Sequence, residues 1–328
     1  VGEEIQEDRV NTTTQAEARP IIFITGPTAT GKTAAAVALA REIKGGGEVI
    51  SADSMLVYRG MDIGTAKPSM EERRNIPHHM IDIVAPDESF SAADFQQRAI
   101  GLIGEIRGRG RVPIVAGGTG FYINSILYKD SYGFGDVEPD PEYRDHLYEM
   151  ARERGAERVH DLLKSLDPAR AGQIHPQNLK RVVRSLEYIR QTGATFPQNA
   201  SPREREVIPG AKNYVLTIAR DKLYDRIDKR VLKMVESGLV DEVRGLLRAG
   251  YGEGLTSMQG LGYKETAAYI KGRLTFDEFV DTLQRNTRHF AKRQMTWFRT
   301  QCRGKMIGAE GFRPDAIIKE IAESSLTI

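Results

Sequence analysis

Residues 23–40 read FITGPTATGKTAAAVALA. Gly26, Gly31, Lys32 and Thr33 complete the spacing G-x-x-x-x-G-K-[ST], and the flanks are those the pattern needs. Before it, PIIFIT is a short apolar run rich in β-branched residues, which predicts a buried strand. After it, an Ala-rich run predicts a helix over 32–42. The turn made by Gly26, Pro27, Thr28, Ala29, Thr30, Gly31, Lys32 and Thr33 therefore presents backbone N–H groups and a helix N-terminus to an anion. Lys32 adds a positive charge, and the Thr33 hydroxyl can ligate Mg²⁺. The loop announces a phosphate without saying whose it is.

Further strands are predicted at 48–52, at 80–84 (MIDIV), in VPIVAGG and at 213–219 (NYVLTIA). SFSAADFQQRAIGLIGEIRGRGR is an amphipathic helix with Ser91 as its cap. Strands alternating with helices predict an α/β fold, a P-loop NTPase-like parallel sheet with helices on both faces. Residues 1–19 are polar without apolar period and read as a disordered tail. The core's first part is expected over 20–130, and a helical insertion over 131–205. A returning strand and C-terminal helices are expected over 206–310, and a tail or short helix over 311–328.

An NTP-hydrolysing enzyme usually carries a Walker-B Asp at the end of a core strand. VPIVAGG ends in glycines, and Asp82, the one substitute, falls mid-strand in MIDIV. A transferase or a small-molecule kinase is favoured over a motor or switch GTPase. Asp53 follows the second strand, so it belongs at the carboxyl edge of the sheet, where doubly wound folds bind ligands. There it can accept a proton from an attacking hydroxyl or amine, or simply cap a turn. Thr65 and Lys67 are further polar candidates in the next loop. Arg220 directly follows the last strand and can clamp a phosphate, or pair with Asp221 or Asp225 on the surface.

The net charge of +2 over 328 residues decides little; the placement of charge says more. From residue 282 to 309 there is no acid. On a helix, Arg285, Arg288, Lys292, Arg299 and Arg303 fall within roughly 60° of one another, opposite Leu283, Phe290, Trp297 and Phe298. Like charges at that spacing repel, which points to an external polyanion such as a nucleic-acid backbone. Lys180, Arg181, Arg184 and Arg190 form a second basic set, and two such surfaces suggest a clamp. One cysteine, Cys302, excludes an internal disulfide and a Cys-rich zinc site. His78 and His79 are adjacent with no third ligand placed to join them. No apolar run reaches the roughly 18 residues of a membrane span.

The blocks GPTATGKT, ISADSMLVYRGMDIGTAKP, HHMIDIVAPDESFSAADF, VAGGTGFYINSIL, MQGLGYKE and AKRQMTWFR occur in this order from about residue 20 to 303. Together they resemble the bacterial tRNA isopentenyltransferase (tRNA dimethylallyltransferase) family. The resemblance implies transfer of a dimethylallyl group from its diphosphate to N6 of adenosine 37 in the tRNA anticodon stem-loop. It implies Mg²⁺, and a cytoplasmic, monomeric enzyme free of membrane; members are commonly described as ATP-binding because of the loop. By position, Asp53 would be the general base, and Thr28, Lys32, Thr33 and Arg220 would hold the diphosphate and its Mg²⁺. Thr119 would lie at the substrate channel. Contacts to tRNA would come from Asp53, Ser54, Met55 and Leu56, and from Lys180, Arg181, Val182, Val183 and Arg184. Gln259, Gly260, Leu261, Gly262, Tyr263 and Lys264 would add to them. So would Lys292, Arg293, Gln294, Met295, Thr296, Trp297, Phe298 and Arg299. Leu56 stands where many relatives have Gln.

Overall fold

The computed structural model describes residues 20–129, 140–196 and 205–325. The tail expected at 1–19 lies outside them, as do much of the linker near 130 and of the loop near 200. The first part of the chain runs β1 (Ile21–Thr25), α1 (Lys32–Glu42), β2 (Gly47–Ala52), a single turn α2 (Met70–Arg73), β3 (His78–His79), α3 (Ala92–Gly108), β4 (Val112–Gly117) and α4 (Gly120–Leu127). Four helices follow: α5 (Pro141–Arg154), α6 (Ala156–Leu166), α7 (Pro168–Ala171) and α8 (Leu179–Thr192). Then come β5 (Ala211–Thr217), α9 (Arg220–Glu236), α10 (Leu239–Arg248), α11 (Tyr263–Ile270), α12 (Phe276–Thr300), β6 (Lys305–Gly308) and α13 (Pro314–Ser325).

The strands form one parallel sheet in the order β3-β2-β4-β1-β5-β6. Every residue of β1 and β2 is buried, as expected where helices cover both faces. The alternation of β1 divides the core. Ile21 and Phe23 pack with Phe95 and Ala99 of α3 and Ile123 of α4. Ile22 and Ile24 pack with Ala36 and Leu39 of α1 and Ile317 of α13. Each buried Ile, Leu or Phe side chain among them contributes about 1.5–3 kcal/mol. The expected cap holds: the Ser91 hydroxyl accepts from the Asp94 N–H and the Asp94 carboxylate accepts from the Ser91 N–H, a device worth about 1 kcal/mol.

Three local expectations need correction. Residues 80–84 are not a strand; β3 is two residues long and sits just before them. Met80 and Asp82 take φ of 63° and 57°, a left-handed geometry that breaks an extended run. The N–H groups of Asp82 and Ile83 donate to Leu56 and Val57, which ties the segment to a loop. Its apolar pattern reflects two destinations, Met80 in one core cluster and Val84 in another. The basic helix stops at Thr300, and Arg303 lies beyond it with its N–H on the Tyr128 hydroxyl. Finally, β6 was not foreseen. Four residues with no alternation become a strand only because β5 offers an open edge.

The chain divides into two compact units, Tyr132–Glu204 and the remainder. The smaller has its own core of Leu147, Val159, Leu163, Val182, Val183 and Leu186. Inside it, burial pushes the Glu187 carboxyl up. Hydrogen bonds from Arg144, the Asp140 N–H and Arg184 outweigh that and hold it below the ordinary range. Among the described residues no helix is long and apolar enough to cross a membrane.

Candidate active site

Three turns leave the carboxyl edge of adjacent strands β2, β4 and β1. The first, after β1, is the phosphate loop. Gly26 has φ +138°, and a Cβ there would stand 2.5 Å from the Leu216 carbonyl oxygen of β5, so only glycine lets the loop start. The second, after β2, carries Asp53. The third, after β4, carries Thr119. The Thr119 N–H donates to Ala52 O at 3.1 Å, and the Ser54 N–H donates to Thr119 Oγ1 at 3.0 Å, which locks the second and third turns together. A Cβ on Gly117 would lie 2.1 Å from Ala52 O. The missing Walker-B acid thus has a packing cause: no side chain fits where one would stand.

These turns border a cavity of about 390 Å³. Its lining includes the polar Thr28, Lys32, Thr33, Asp53, Thr119 and Arg230 and the apolar Met55, Val231, Met234, Leu261, Leu283 and Phe290. A cavity lined by both charged and apolar side chains suits a ligand that carries both kinds of group. Asp53 Oδ1 accepts from the Met55 N–H at 2.9 Å. Its carboxylate makes no other hydrogen bond among the described residues, so the turn-capping alternative accounts for one oxygen. Lys32 Nζ donates to Pro27 O at 2.7 Å. Burial pushes its ammonium down to about 8; the negative Asp53 opposes that and the positive Arg230 adds to it. Arg230 is lowered in the same way, by burial first, while Asp53 and Glu72 raise it. Two crowded cations facing one carboxylate amount to a surplus of positive charge that an anion would relieve.

Arg230 was not singled out from the sequence, whereas Arg220 follows β5 as expected but does not line the cavity. Arg220 begins α9 exposed to solvent, its guanidinium 5.2 Å from the Tyr224 ring centroid, and it does not line the cavity. The inward stripe of α9 is Leu223, Ile227 and Val231. Arg230 sits on the border of that stripe and its Nη2 donates to Thr65 O at 3.3 Å. The helical spacing could have found it, since residues near an apolar stripe reach inward. Lys67 is a structural clip, paired with Asp62 and Asp82.

The residues assigned to tRNA separate by burial. Ser54, Met55, Leu56, Gln259, Gly260, Leu261 and Lys264 line the cavity. Gly262 and Tyr263 lie beneath them, with the Tyr263 hydroxyl donating to Glu242 at 2.8 Å. In the smaller unit Lys180 and Arg181 are exposed, Val182 and Val183 are core, and Arg184 is paired with Glu187. On α12, Lys292, Arg293, Thr296 and Arg299 are exposed. Met295 is half-buried, and Trp297 packs on Phe121 with ring centroids 4.6 Å apart. Phe298 and Gln294 are buried. Arg288 is neutralised by Asp228, so the basic face is narrower than its helical wheel suggested. Gln294 lines the cavity together with Arg293, whereas Val182, Val183 and Phe298 are core and present no surface to an RNA. Runs of consecutive residues on a helix always include such members, because the helix turns its side chains through every direction.

The sequence profile of IPP transferase matches residues 56–301. The tRNA dimethylallyltransferase of Halalkalibacterium halodurans is 49% identical over 284 residues, 86% of this chain and 88% of that one. The corresponding protein of Pelotomaculum thermopropionicum is 46% identical over 304 residues, 92% and 95% of the two chains.

The chain belongs to the IPP transferase family.

It is a transferase. Solved IPP transferase structures share its fold. The full-length tRNA isopentenylpyrophosphate transferase of Bacillus halodurans superposes with a TM-score of 0.69 at 43% identity, over 94% of this chain and 97% of that one. A eukaryotic dimethylallyltransferase acting on tRNA gives 0.77 at 26% identity, over 93% and 78%. The resemblance read from the motif blocks is borne out.

Proposed function

We propose that this transferase moves a dimethylallyl group from dimethylallyl diphosphate to N6 of adenosine 37 in the anticodon stem-loop of tRNA. The observation that carries the proposal is the cavity itself. Asp53 shares its lining with Lys32 and Arg230, whose charges interact with the Asp53 carboxylate, and with apolar side chains. The two cations and the phosphate loop would bind the diphosphate and stabilise the negative charge that grows as it leaves. The apolar side chains would take the prenyl chain and the flat faces of the base, and exclude the water that would otherwise capture the allylic carbon. The bond from the allylic carbon to oxygen breaks, its electron pair leaves with diphosphate, and the N6 lone pair forms the new bond. Asp53 takes the N6 proton. An adenine must leave its stack to reach the cavity, which costs less in a loop than in a duplex. Exposed Lys292, Arg293 and Arg299 on α12 would hold the RNA backbone, and exposed Lys180 and Arg181 of the smaller unit offer it a separate basic surface.

The donors fit Mg²⁺. The Thr33 hydroxyl lines the cavity while Asp53 is kept for the N6 proton, and no group of three acidic, His or Cys ligands exists among the described residues. Mg²⁺ is commonly held by one or two protein ligands, substrate phosphates and water. When bound, it would neutralise charge on the departing diphosphate.

A small-metabolite kinase would leave the apolar side chains and the cations of α12 without a role. The test is Asp53→Ala with labelled dimethylallyl diphosphate, unmodified tRNA and Mg²⁺. Transfer should fall by a factor of at least about 100 with tRNA affinity largely kept, and ATP should be unnecessary. Near-normal turnover would remove Asp53 as the base.

A further inference from the structure

Gln294 lies on α12 two residues past Lys292, but it points the opposite way from that cation, toward the cavity that Arg293 also borders. It is 7% exposed, and both ends of its amide are engaged. Oε1 accepts from the Thr28 N–H at 2.9 Å, and Nε2 donates to Gly118 O at 2.9 Å. A Cβ on Gly118 would meet Nε2 at 2.3 Å, so the glutamine amide occupies the space a side chain there would need. One side chain thereby joins the phosphate loop after β1 to the turn after β4 that carries Thr119. In an anion-binding loop, the direction of each N–H sets the shape of the anion site. Here the Thr28 N–H is directed by a residue that belongs to the helix with the exposed basic face.

Taking the tRNA prenyl-transfer proposal as its basis, we infer that Gln294 is a positioning residue that couples RNA on the basic face of α12 to the affinity of the phosphate loop for diphosphate. The two hydrogen bonds leave from one side-chain amide that is almost wholly buried, so a small displacement of α12 reaches both turns. Gln294 itself borders the cavity, but both ends of its amide are spent on the Thr28 and Gly118 peptides, and it acts through them. By linkage the effect is reciprocal: diphosphate on the loop must tighten RNA binding by the same factor.

Calorimetric titration of inorganic diphosphate with Mg²⁺ tests this. It is run with and without saturating unmodified anticodon stem-loop RNA, on the wild type, Gln294→Met and Gln294→Glu. The wild type should bind diphosphate at least about fivefold more tightly with RNA present. In Gln294→Met, which keeps volume but removes both hydrogen bonds, the ratio should fall to within about twofold of unity. Gln294→Glu supplies a readout that loss of packing would not imitate. Its protonated carboxyl can donate to Gly118 O while accepting from the Thr28 N–H; the ionised form cannot donate. Coupling in that variant, measured against the wild type at each pH, should return as pH falls. An unchanged ratio in Gln294→Met, or a pH-independent Gln294→Glu, overturns the inference. Wild type that binds both ligands without coupling overturns the inference alone, whereas wild type that binds neither overturns the prenyl-transfer proposal beneath it.

Discussion

Replacing Lys32 with Met should stabilise the unliganded protein and abolish its grip on diphosphate. The Lys32 ammonium is pushed from an ordinary 10.5 to about 8, mainly by burial. Each tenfold change in an ionisation constant is about 1.4 kcal/mol, so holding this group charged costs the fold about 3 kcal/mol. Losing its hydrogen bond to Pro27 O returns about 1 kcal/mol. The net expectation at pH 7 is a gain of about 2 kcal/mol in urea unfolding. The sign in pH follows from the lowered value. Below about 8 both folded and unfolded chains hold the proton, and the full penalty applies. Between about 8 and 10.5 the unfolded chain keeps a proton that the folded one has lost, so wild-type stability rises with pH relative to Lys32→Met. An anion in the loop restores the ordinary value, so diphosphate affinity should drop about tenfold per pH unit above 8. Lys32→Arg, charged at any such pH, should lack that drop. A Lys32→Met protein less stable than wild type at pH 7, or a stability difference flat from pH 8 to 10, would refute the reasoning.

Arg230→Met should raise the KM for dimethylallyl diphosphate by roughly 30-fold or more, because a desolvated cation facing an anion is removed. Arg220→Met should change it less than about threefold in the same steady-state assay, since Arg220 is exposed and away from the cavity. Gly117→Ala should cost more than about 3 kcal/mol, read as a shift of the urea midpoint. Its Cβ would meet a strand carbonyl at 2.1 Å, and backbone in a central strand cannot give way.

What was legible in the sequence is what is encoded locally. The phosphate loop needs glycines, a lysine and a hydroxyl at fixed spacing between a strand and a helix. β1, α1, β2, the Ser91 cap and β5 were read from period and composition because their own residues decide them. Asp53 could be placed at the carboxyl edge because parallel topology puts strand ends there. Leu56, read as part of the loop that follows Asp53, lines the cavity. Residues 80–84 misled because their apolar side chains serve two clusters, a division that no one-dimensional period can express. β6 exists because β5 has a free edge. Arg230 rather than Arg220 enters the site because of how α9 rotates onto its neighbours, and Gln294 rather than Lys292 reaches the loop because α12 turns that side inward. Spacing along the chain names the chemistry that a segment can offer. Which side chain meets the ligand depends on the packing of elements distant in sequence, and that is settled only when the core excludes water from every other arrangement.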